Sequence, residues 1–278
     1  MLPLKDENPT SRTPVITFII IAVCIFIFVI PQGMLADLET ANEFTLEYAA
    51  IPCEIATSEP LSEAEIAGAA NGNFSACFDG GSSPERYPNK IVYFGIISSM
   101  FLHGSFLHLA GNMWSFWIFG NNIEDRLGSL WFSIFYLIGG IVATLAHYII
   151  QPDSTIPVIG ASGAIAAVMG AYIVWFPDAP IKTIFFFRLM DVRAKWFLGF
   201  WFITQFIIIG DSDSGIAWMA HVGGFVFGAF VGLIVRSGFG RNKISHQDDF
   251  DHWDTTGGIG KGPLKHPLEN RNSNRGIF

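Results

Sequence analysis

The sequence predicts an all-α polytopic membrane protein that crosses the bilayer six times. Of its 278 residues, 51% are hydrophobic and 14% are charged, whereas soluble domains contain about 25% charged residues. Six apolar stretches recur along the chain, and each approaches the ~20 residues that an α-helix needs to span the hydrocarbon core. This combination is typical of a multi-pass membrane protein.

The predicted spans are joined by short loops except after the first. They cover residues 14–30, 106–123, 130–150, 158–176, 196–209 and 216–235. The long connection, residues 31–105, begins with an acidic insertion at 37–88 and ends with an apolar stretch at 91–102. Two serines in this stretch and the nearby His103 favour an interfacial or re-entrant element over a seventh span.

The distribution of Lys and Arg orients the predicted spans. If the N-terminus is cytoplasmic, most basic residues fall in cytoplasmic segments, and the outside receives only Arg86 and Lys90. We therefore expect a cytoplasmic N-terminus at 1–13, a six-span domain at 14–236 and a cytoplasmic tail at 237–278. The tail is polar and has no helical or strand period, which predicts disorder.

Charge and cysteine content exclude some classes of protein. The net charge is −8, and no basic stripe with interleaved aromatic residues appears, so we expect no nucleic-acid partner. Three cysteines are too few for a disulfide scaffold. Cys24 lies in an apolar span and is interpreted as a small hydrophobic residue. Cys53 and Cys77 both lie in the outer connection, where a disulfide or two free thiols are both open.

Polar residues inside predicted spans are rare, and they are usually functional. His108 and Asn112 lie in the second span, Ser162 in the fourth and His221 in the sixth. A rise of 1.5 Å per residue puts Ser162, His108 and His221 at similar depths, about 8 Å below the outer surface. His147 in the third span and Gln205 in the fifth are interpreted as interfacial or packing residues. Three unlinked spans therefore bring a hydroxyl and two imidazoles to one level.

This set of residue types suits nucleophilic catalysis. A serine hydroxyl needs a base to take its proton, and histidine has the appropriate pKa near neutral pH. Ser162 would begin a helix, where free backbone N–H groups can stabilise an oxyanion. Gly160 and Gly163 flank it and would let a substrate backbone approach. His108 and Asn112 are spaced i and i+4, so both can present N–H donors from one helix face.

Other interpretations of the same residues are helix packing and metal binding. Small residues spaced four apart, such as Gly224 and Gly228, are common at helix contacts in membranes, and a lone serine there is more often a packing residue. His103, His108 and His221 could bind a metal together with Asn112. However, the chain has no HExxH or Cys/His pair at ligand spacing, so we expect neither a metal nor a cofactor.

The pattern as a whole resembles the rhomboid family of intramembrane serine proteases. The resemblance covers residues 94–235 and is carried, in the family's order, by "HLAGN" at 108–112, "IEDRLG" at 123–128, "GASGA" at 160–164 and "AHVGGFVFG" at 220–228. The GxSG motif alone is a weak signal. Together with HxxxN in the second span and AHxxGxxxG in the sixth, it is strong.

The resemblance implies a six-transmembrane-helix rhomboid bundle and a role for each matching residue. Ser162 would be the nucleophile and His221 its base, with no third acid. The side chains of His108 and Asn112 would stabilise the oxyanion, and Gly160 would shape the loop at that hole. The remaining matches imply tight packing of span six on span four by Gly224 and Gly228, and structural roles for His103, Glu124 and Arg126.

Two positions depart from the family pattern. Many bacterial relatives carry an aromatic residue four positions after the serine, which stacks on the histidine, and Ala166 stands there instead. Many also carry a Trp-Arg pair nine residues before the position of His103, where this chain has Phe94 and Gly95. Neither change removes Ser162 or His221. We therefore expect an active enzyme whose imidazole and outer loop are anchored differently.

The expected function is metal-independent hydrolysis of peptide bonds in or near transmembrane segments of single-span membrane proteins. An inactive rhomboid-like client-binding protein is the main alternative, although it would not require both Ser162 and His221. A small-solute transporter would predict internal repeats, which the sequence lacks. The compact plan favours a bacterial inner membrane, and a homo-oligomer is left open.

Overall fold

A computed structural model describes residues 2–33, 37–75, 77, 83–185, 187–207 and 217–239. Residues 237–239 of the predicted disordered tail, 237–278, belong to the last helix, and residues 240–278 lie outside the described residues, as does the short loop between the fifth and sixth predicted spans. Helices occupy all six apolar segments of the prediction. They are α1 (Val15–Val29), α6 (Phe106–Leu127), α7 (Ser129–Ile150), α8 (Ser162–Trp175), α9 (Ala194–Ile207) and α10 (Trp218–Phe239).

The membrane-crossing capacity of these helices differs. Among the described residues, α7 and the part of α10 at Trp218–Arg236 are long and apolar enough to cross a bilayer. Val92–Phe101 and Phe106–Leu127 would add one more if this pair, bent by 76°, formed a single broken span. Helices α1 and α8 are apolar but shorter. The described part of the chain therefore contains two or three candidate spans by length and composition.

The apolar stretch predicted as an interfacial or re-entrant element is a short helical segment. A four-residue helix, α5 (Gly95–Ser98), lies between two 3₁₀ turns at Val92–Phe94 and Ser99–Phe101. The chain then turns sharply and enters α6, where the Ser105 hydroxyl accepts a hydrogen bond from the backbone N–H of His108 (3.1 Å). This N-cap begins a new helix, so α5 does not continue into α6.

The acidic insertion, residues 37–88, is folded. It contains α2 (Leu38–Tyr48), α3 (Pro52–Thr57) and α4 (Glu63–Ala70). The Asp37 side chain caps α2, and Ser62 with Glu65 forms a reciprocal capping box at the start of α4. Cys53 and Cys77 form a disulfide, with their Cα atoms 5.6 Å apart. The structure thus decides the question that the sequence left open for these two cysteines.

The insertion is attached to the segment that precedes α8. Lys90 and Glu54 form an ion pair (2.5 Å), and both side chains are at most 2% exposed. Ala50 forms a β-bridge with Val158, and the backbone N–H of Cys53 donates to the carbonyl of Ser154 (2.9 Å). The bridge and the backbone hydrogen bond hold the insertion against the loop that leads to Ser162, and the ion pair holds it to the segment just before α5.

The all-α prediction is wrong at the other end of the helices, where a three-stranded antiparallel sheet forms. Its strands, in the order β1-β2-β3, are β1 (Leu2–Asp6), β2 (Pro180–Phe185) and β3 (Arg188–Arg193). Leu2 pairs with Ile184 and Asp6 with Ile181. The β1–β2 pairing joins residues about 180 positions apart, and none of the three strands is long enough to show a clear period of two in the sequence.

Buried polar contacts attach the first residues of the chain to the helices. Asp6 Oδ2 accepts hydrogen bonds from Tyr172 Oη (2.8 Å) and Asn122 Nδ2 (2.5 Å). Burial raises the pKa of the Asp6 carboxyl from its ordinary 3.8 to about 6, although these hydrogen bonds act in the opposite direction. Trp114 Nε1 donates to the carbonyl of Pro3 (2.6 Å).

Glu124 and Arg126, for which the resemblance implies structural roles, make separate contacts. The Glu124 carboxylate accepts hydrogen bonds from the backbone N–H groups of Ile16 (2.9 Å) and Thr17 (2.8 Å) at the start of α1. A carboxylate at a helix N-terminus is favourable because of the free N–H groups and the dipole. The Arg126 guanidinium lies 4.8 Å from the centre of the Trp175 ring. Both residues therefore tie the end of α6 to neighbouring helices.

Candidate active site

Helix α8 is the central element of the site. It begins at Ser162, and most of its side chains, from Gly163 to Tyr172, are buried. The backbone N–H of Gly160 donates to the carbonyl of Ser99 (2.9 Å), which holds the chain just before the helix. Because the first N–H groups of a helix have no intrahelical acceptor, the start of α8 offers donors next to the Ser162 hydroxyl.

The hydroxyl of Ser162 is in hydrogen-bond contact with His221 on α10. The distance from Ser162 Oγ to His221 Nε2 is 2.8 Å, and the two residues are 59 positions apart. The two side chains that the sequence singled out at similar depth are therefore adjacent. The contact has the geometry that a serine nucleophile and its base require.

Close packing of α8 on α10 brings these two residues together. A Cβ added to Gly224 would collide with the carbonyl oxygen of Gly163, and one added to Gly228 would collide with that of Ala167. On the α8 side, a Cβ on Gly170 would meet the carbonyl oxygen of Phe225. The helices touch backbone to backbone, as small residues allow in membrane proteins.

Gln205 on α9 contacts the other ring nitrogen of His221. The distance from Gln205 Oε1 to His221 Nδ1 is 2.8 Å, and only 4% of the Gln205 residue is exposed. Sequence reasoning interpreted Gln205 as an interfacial or packing residue. Its polarity inside a predicted span was the signal available, but nothing in the sequence indicated which side chain it would face.

An aromatic ring approaches His221 from α9 and not from the position of Ala166 on α8, where the resemblance implied it. The ring centres of Trp201 and His221 are 5.9 Å apart, with an angle of 40° between the ring planes. Ala166, which stands at the family's aromatic position, is fully buried. A tilted aromatic contact of this kind contributes about 0.5–1.5 kcal/mol beyond the burial of area.

His108 and Asn112 both lie beside Gly160. A Cβ added to Gly160 would lie 2.7 Å from His108 Nε2 and 3.5 Å from Asn112 Nδ2. Gly160 has a φ of +113°, which a side chain would strain. The backbone N–H of Gly104 donates to His108 Nδ1 (3.4 Å), so Nε2 is the ring nitrogen that carries a hydrogen toward the site.

The buried Asn112 Nδ2 has no hydrogen-bond partner within the part of the chain that the structure describes. A buried amide donor without a partner costs free energy, which a substrate oxygen would recover. Together, His108 Nε2 and Asn112 Nδ2 form a pair of N–H donors beside Gly160, two residues before Ser162. Such a pair can stabilise negative charge on an oxygen atom.

His103 lies behind His108 and is fully buried. Its ring meets that of His108 edge-on, with centres 5.2 Å apart and planes at 67°. Gln32 holds its backbone: Gln32 Nε2 donates to the His103 carbonyl (3.0 Å), and the His103 N–H donates to Gln32 Oε1 (3.3 Å). Gln32 follows the first apolar segment and has no motif around it, so its contact with His103 could not be predicted from the sequence.

The contacts at Gly95 explain the second departure from the family pattern. A Cβ added to Gly95 would lie 2.6 Å from the carbonyl oxygen of Ala49 in the acidic insertion. Ser98 Oγ donates to the carbonyl of Tyr48 (2.5 Å). The insertion therefore anchors the α5 segment directly, at the place where many relatives carry a Trp-Arg pair.

The described residues contain one group with the spacing of a metal site, and it lies in the insertion. It consists of Cys53, Glu65 and Cys77, but the two sulfurs are bonded to each other. A disulfide does not supply the thiolates that metal ions bind. His147, the remaining histidine of the predicted spans, is buried on α7, and its Nδ1 has no hydrogen-bond partner among the described residues.

Comparisons with known proteins agree with the motifs. The family model described as Rhomboid domain matches residues 91–238. "Presenilin-associated rhomboid-like protein, mitochondrial" from Bos taurus is 28% identical over 147 residues, which cover 50% of this chain and 37% of that protein. "RHOMBOID-like protein 5" from Arabidopsis thaliana is 27% identical over 145 residues, covering 50% and 43%.

A bacterial protein matches over the same share of the chain. "Rhomboid protease GluP" from Bacillus subtilis is 30% identical over 157 residues, or 54% of this chain and 28% of that protein. All these matches span less than half the length of the relatives. The family model nevertheless covers more than half of this chain, and the chain belongs to the rhomboid family.

Proposed function

We propose that this chain is an intramembrane serine endopeptidase that hydrolyses peptide bonds in or near the transmembrane segments of single-span proteins. The observation that carries the proposal is the 2.8 Å contact between Ser162 Oγ and His221 Nε2. Packing alone does not require a hydroxyl and an imidazole from two separate helices to meet in a buried contact. Membership of a family with proteolytic relatives adds to this support.

In the proposed reaction, His221 Nε2 takes the proton of Ser162 as Oγ attacks the carbonyl carbon of the scissile bond. The carbonyl oxygen becomes an oxyanion. His221 then gives its proton to the leaving nitrogen, the C–N bond breaks, and an acyl-enzyme ester remains. A water molecule hydrolyses the ester by the same route, with His221 again accepting and returning the proton. Neither step needs a metal ion or a cofactor.

The proposed oxyanion donors are the backbone N–H of Ser162, His108 Nε2 and Asn112 Nδ2. The last two flank the position that a side chain would occupy on Gly160. Oxyanion donors act most strongly when they are held in place before charge develops, and each removed donor typically costs about 10²–10³ in kcat. We assign the donor role to the unpartnered amide of Asn112 on this basis.

The proposed setting is a six-span rhomboid bundle with Ser162 and His221 near its outer end and both termini on the cytoplasmic side. A substrate helix hides its carbonyls in backbone hydrogen bonds, so it must enter sideways and unwind locally before attack. The enclosed serine favours a small residue before the cut. Location in a bacterial inner membrane stays a prediction from the sequence, and the relatives include proteins named as mitochondrial.

The test is cleavage of a reporter transmembrane substrate by the detergent-purified full chain. Wild type, Ser162→Ala and His221→Ala are compared with and without EDTA. Ser133→Ala is the matched control, because the hydroxyl of the half-buried Ser133 donates, within the described residues, to the Ser129 carbonyl of its own helix. We expect cleavage by wild type and Ser133→Ala alone, unaffected by EDTA.

Two other outcomes of this experiment would favour different explanations. Equal cleavage by Ser162→Ala would contradict the mechanism and indicate a contaminating protease. Specific binding of membrane clients by all four proteins, with no cleavage of several substrates, would support the inactive client-binding alternative instead.

A further inference from the structure

The two nitrogens of the His221 ring have different partners. Nε2 contacts Ser162 Oγ and Nδ1 contacts Gln205 Oε1, each at 2.8 Å. A neutral imidazole carries one hydrogen, on one nitrogen or the other. The serine hydroxyl can donate or accept, so it does not decide the position of that hydrogen. The amide of Gln205 decides it, because its oxygen only accepts and its nitrogen only donates.

Backbone contacts determine the orientation of the Gln205 amide. Gln205 Nε2 lies 3.0 Å from the carbonyl oxygen of Trp201, a group that can only accept a hydrogen bond. Rotating the amide by 180° would put two acceptors against each other at this contact. Nε2 also lies 3.4 Å from Thr204 Oγ1. The Thr204 hydroxyl donates to the same Trp201 carbonyl (2.6 Å), so its lone pairs remain free to accept from Nε2.

With Nε2 directed at Trp201, Oε1 is the amide atom that faces His221. The hydrogen of the neutral imidazole must then lie on Nδ1, and Nε2 presents its lone pair to the Ser162 hydroxyl. This is the tautomer that a base acting on Ser162 needs. The other tautomer would put the Nδ1 lone pair against Oε1, and two facing acceptors in a buried site are unfavourable.

We propose that Gln205 is a positioning residue that sets the tautomer and ring orientation of His221 in the proteolytic reaction. The inference rests on the proposed function for its catalytic consequence, but the tautomer itself does not depend on it. Gln205 acts through His221, because its side-chain hydrogen bonds within the described residues are to His221, Trp201 and Thr204. When His221 accepts the serine proton, Nδ1–H continues to donate to Oε1, so no further proton moves.

A neutral amide suits this position better than a carboxylate. Gln205 is almost completely buried among α9 and α10, where an ionised group without a charged partner is costly. Among the described residues, the titratable groups that influence His221 electrostatically are His108 on α6 and His147 on α7, and neither is an acid. An acceptor without charge therefore orients the imidazole without adding an unpaired charge.

The experiment compares wild type, Gln205→Leu and Gln205→Glu in the full-length chain. For each, kcat and KM for a reporter transmembrane substrate are measured across pH, together with Tm. Gln205→Leu removes the acceptor, and we expect kcat to fall about 10–100-fold while KM changes less than about twofold. Gln205→Glu keeps an acceptor at the same place and should recover most of the loss.

The pH profile distinguishes positioning from a structural role. In Gln205→Glu, a carboxylate beside Nδ1 stabilises the imidazolium, so the acidic limb of the kcat profile should move to higher pH. A side chain that supported α9 without facing Nδ1 would change Tm but would not move this limb. Unchanged kcat in a folded Gln205→Leu, or an unmoved acidic limb in Gln205→Glu, would overturn the proposal.

A tautomer measurement that needs no activity completes the test. In ¹⁵N-histidine-labelled protein, NMR at a pH where His221 is neutral should show its hydrogen on Nδ1 in wild type and a mixture in Gln205→Leu. Hydrogen on Nε2 in wild type would contradict the assignment even if the chain is a protease. Hydrogen on Nδ1 in a protein that cleaves nothing would leave the Gln205 assignment intact and defeat only the proposed function.

Discussion

The two sides of the site are held by opposite means. On one side, α10 lies directly on α8, and the glycines at 224 and 228 allow the contact because they lack side chains. On the other side, the acidic insertion contacts the loop before Ser162 through the Ala50–Val158 bridge and the hydrogen bond from Cys53 to Ser154, and a disulfide and the Glu54–Lys90 ion pair stabilise the insertion itself. The α8–α10 contact requires glycines without side chains, whereas the contacts of the insertion require particular bonding partners.

This difference predicts how substitutions on each side affect activity and stability. A backbone-to-backbone contact cannot absorb an added methyl group, because neither helix can move without displacing Ser162 from His221. A set of several polar and covalent attachments loses one member at a time, and the rest remain. Changes at the glycines should therefore abolish activity, whereas changes in the insertion should mainly lower stability.

Gly228→Ala should have the largest effect on activity. The added Cβ collides with the carbonyl oxygen of Ala167, so α10 must shift and carry His221 away from Ser162. Misplacement of a catalytic group by about 1 Å can cost about 10²-fold. We expect a fall of at least that size in cleavage rate, and a lower Tm.

The matched control is Gly199→Ala on α9, where a Cβ meets no atom within 4 Å. Alanine is the better helix former by about 1 kcal/mol, so this variant should keep its activity. Full activity in Gly228→Ala would show that the α8–α10 contact is not needed to hold the two side chains.

Gly160→Ala tests the loop residue that lies two positions before Ser162. The methyl group would lie 2.7 Å from His108 Nε2 in a backbone with φ of +113°. We expect cleavage to fall about 10–100-fold because the proposed oxyanion donors are displaced. Gly72→Ala is the control: it has a φ of +87° and open space around it. Both glycines have a positive φ that side chains rarely adopt, so equal activity in both variants would contradict the role of Gly160.

Lys90→Met should mainly lower stability. It leaves the Glu54 carboxylate buried without its partner, which costs about 3–5 kcal/mol. Burial raises the pKa of Glu54 already in the presence of Lys90, so without Lys90 the folded chain binds the proton still more tightly than the unfolded chain. The stability of Lys90→Met is then fullest at low pH and is lost as pH rises.

Unfolding of Lys90→Met at pH 5 and pH 8 measures this effect, and the Glu54→Gln/Lys90→Met double variant is the control. The double variant should be more stable than Lys90→Met at pH 8 and should lack its dependence on pH. A Lys90→Met variant as stable as wild type at pH 8 would show that the ion pair does not hold the insertion.

Asp6→Asn should have the smallest effect and extends the comparison to the sheet. Burial raises the pKa of Asp6 to about 6, so attachment of β1 is fullest below about pH 4 and weakens as pH rises through 6. Asn keeps an oxygen that can accept from Tyr172 and Asn122. Limited proteolysis of the N-terminus at pH 5 and pH 8 should show a pH dependence in wild type that Asp6→Asn lacks.

The sequence by itself predicted the rhomboid family and four of the residues that meet at the candidate site, namely His108, Asn112, Ser162 and His221. It did so because the motifs are local: a serine between glycines, two donors one turn apart, and a histidine followed by glycines at helical spacing. Ser162 and His221 could be predicted to lie at one depth because transmembrane helices cross the bilayer, so the position of a residue along a span gives its depth in the membrane.

Only the tertiary structure decided the contacts between residues that are distant in the chain. The pairing of Leu2 with Ile184, the Cys53–Cys77 bond and the approach of Trp201 and Gln205 to His221 each depend on how separate elements pack. Periodicity reports which residues share a face of one helix, but it does not say which face of another helix they meet. The sequence shows that Gln205 is an unusual polar residue in a predicted span. Only the fold shows that its partner is His221.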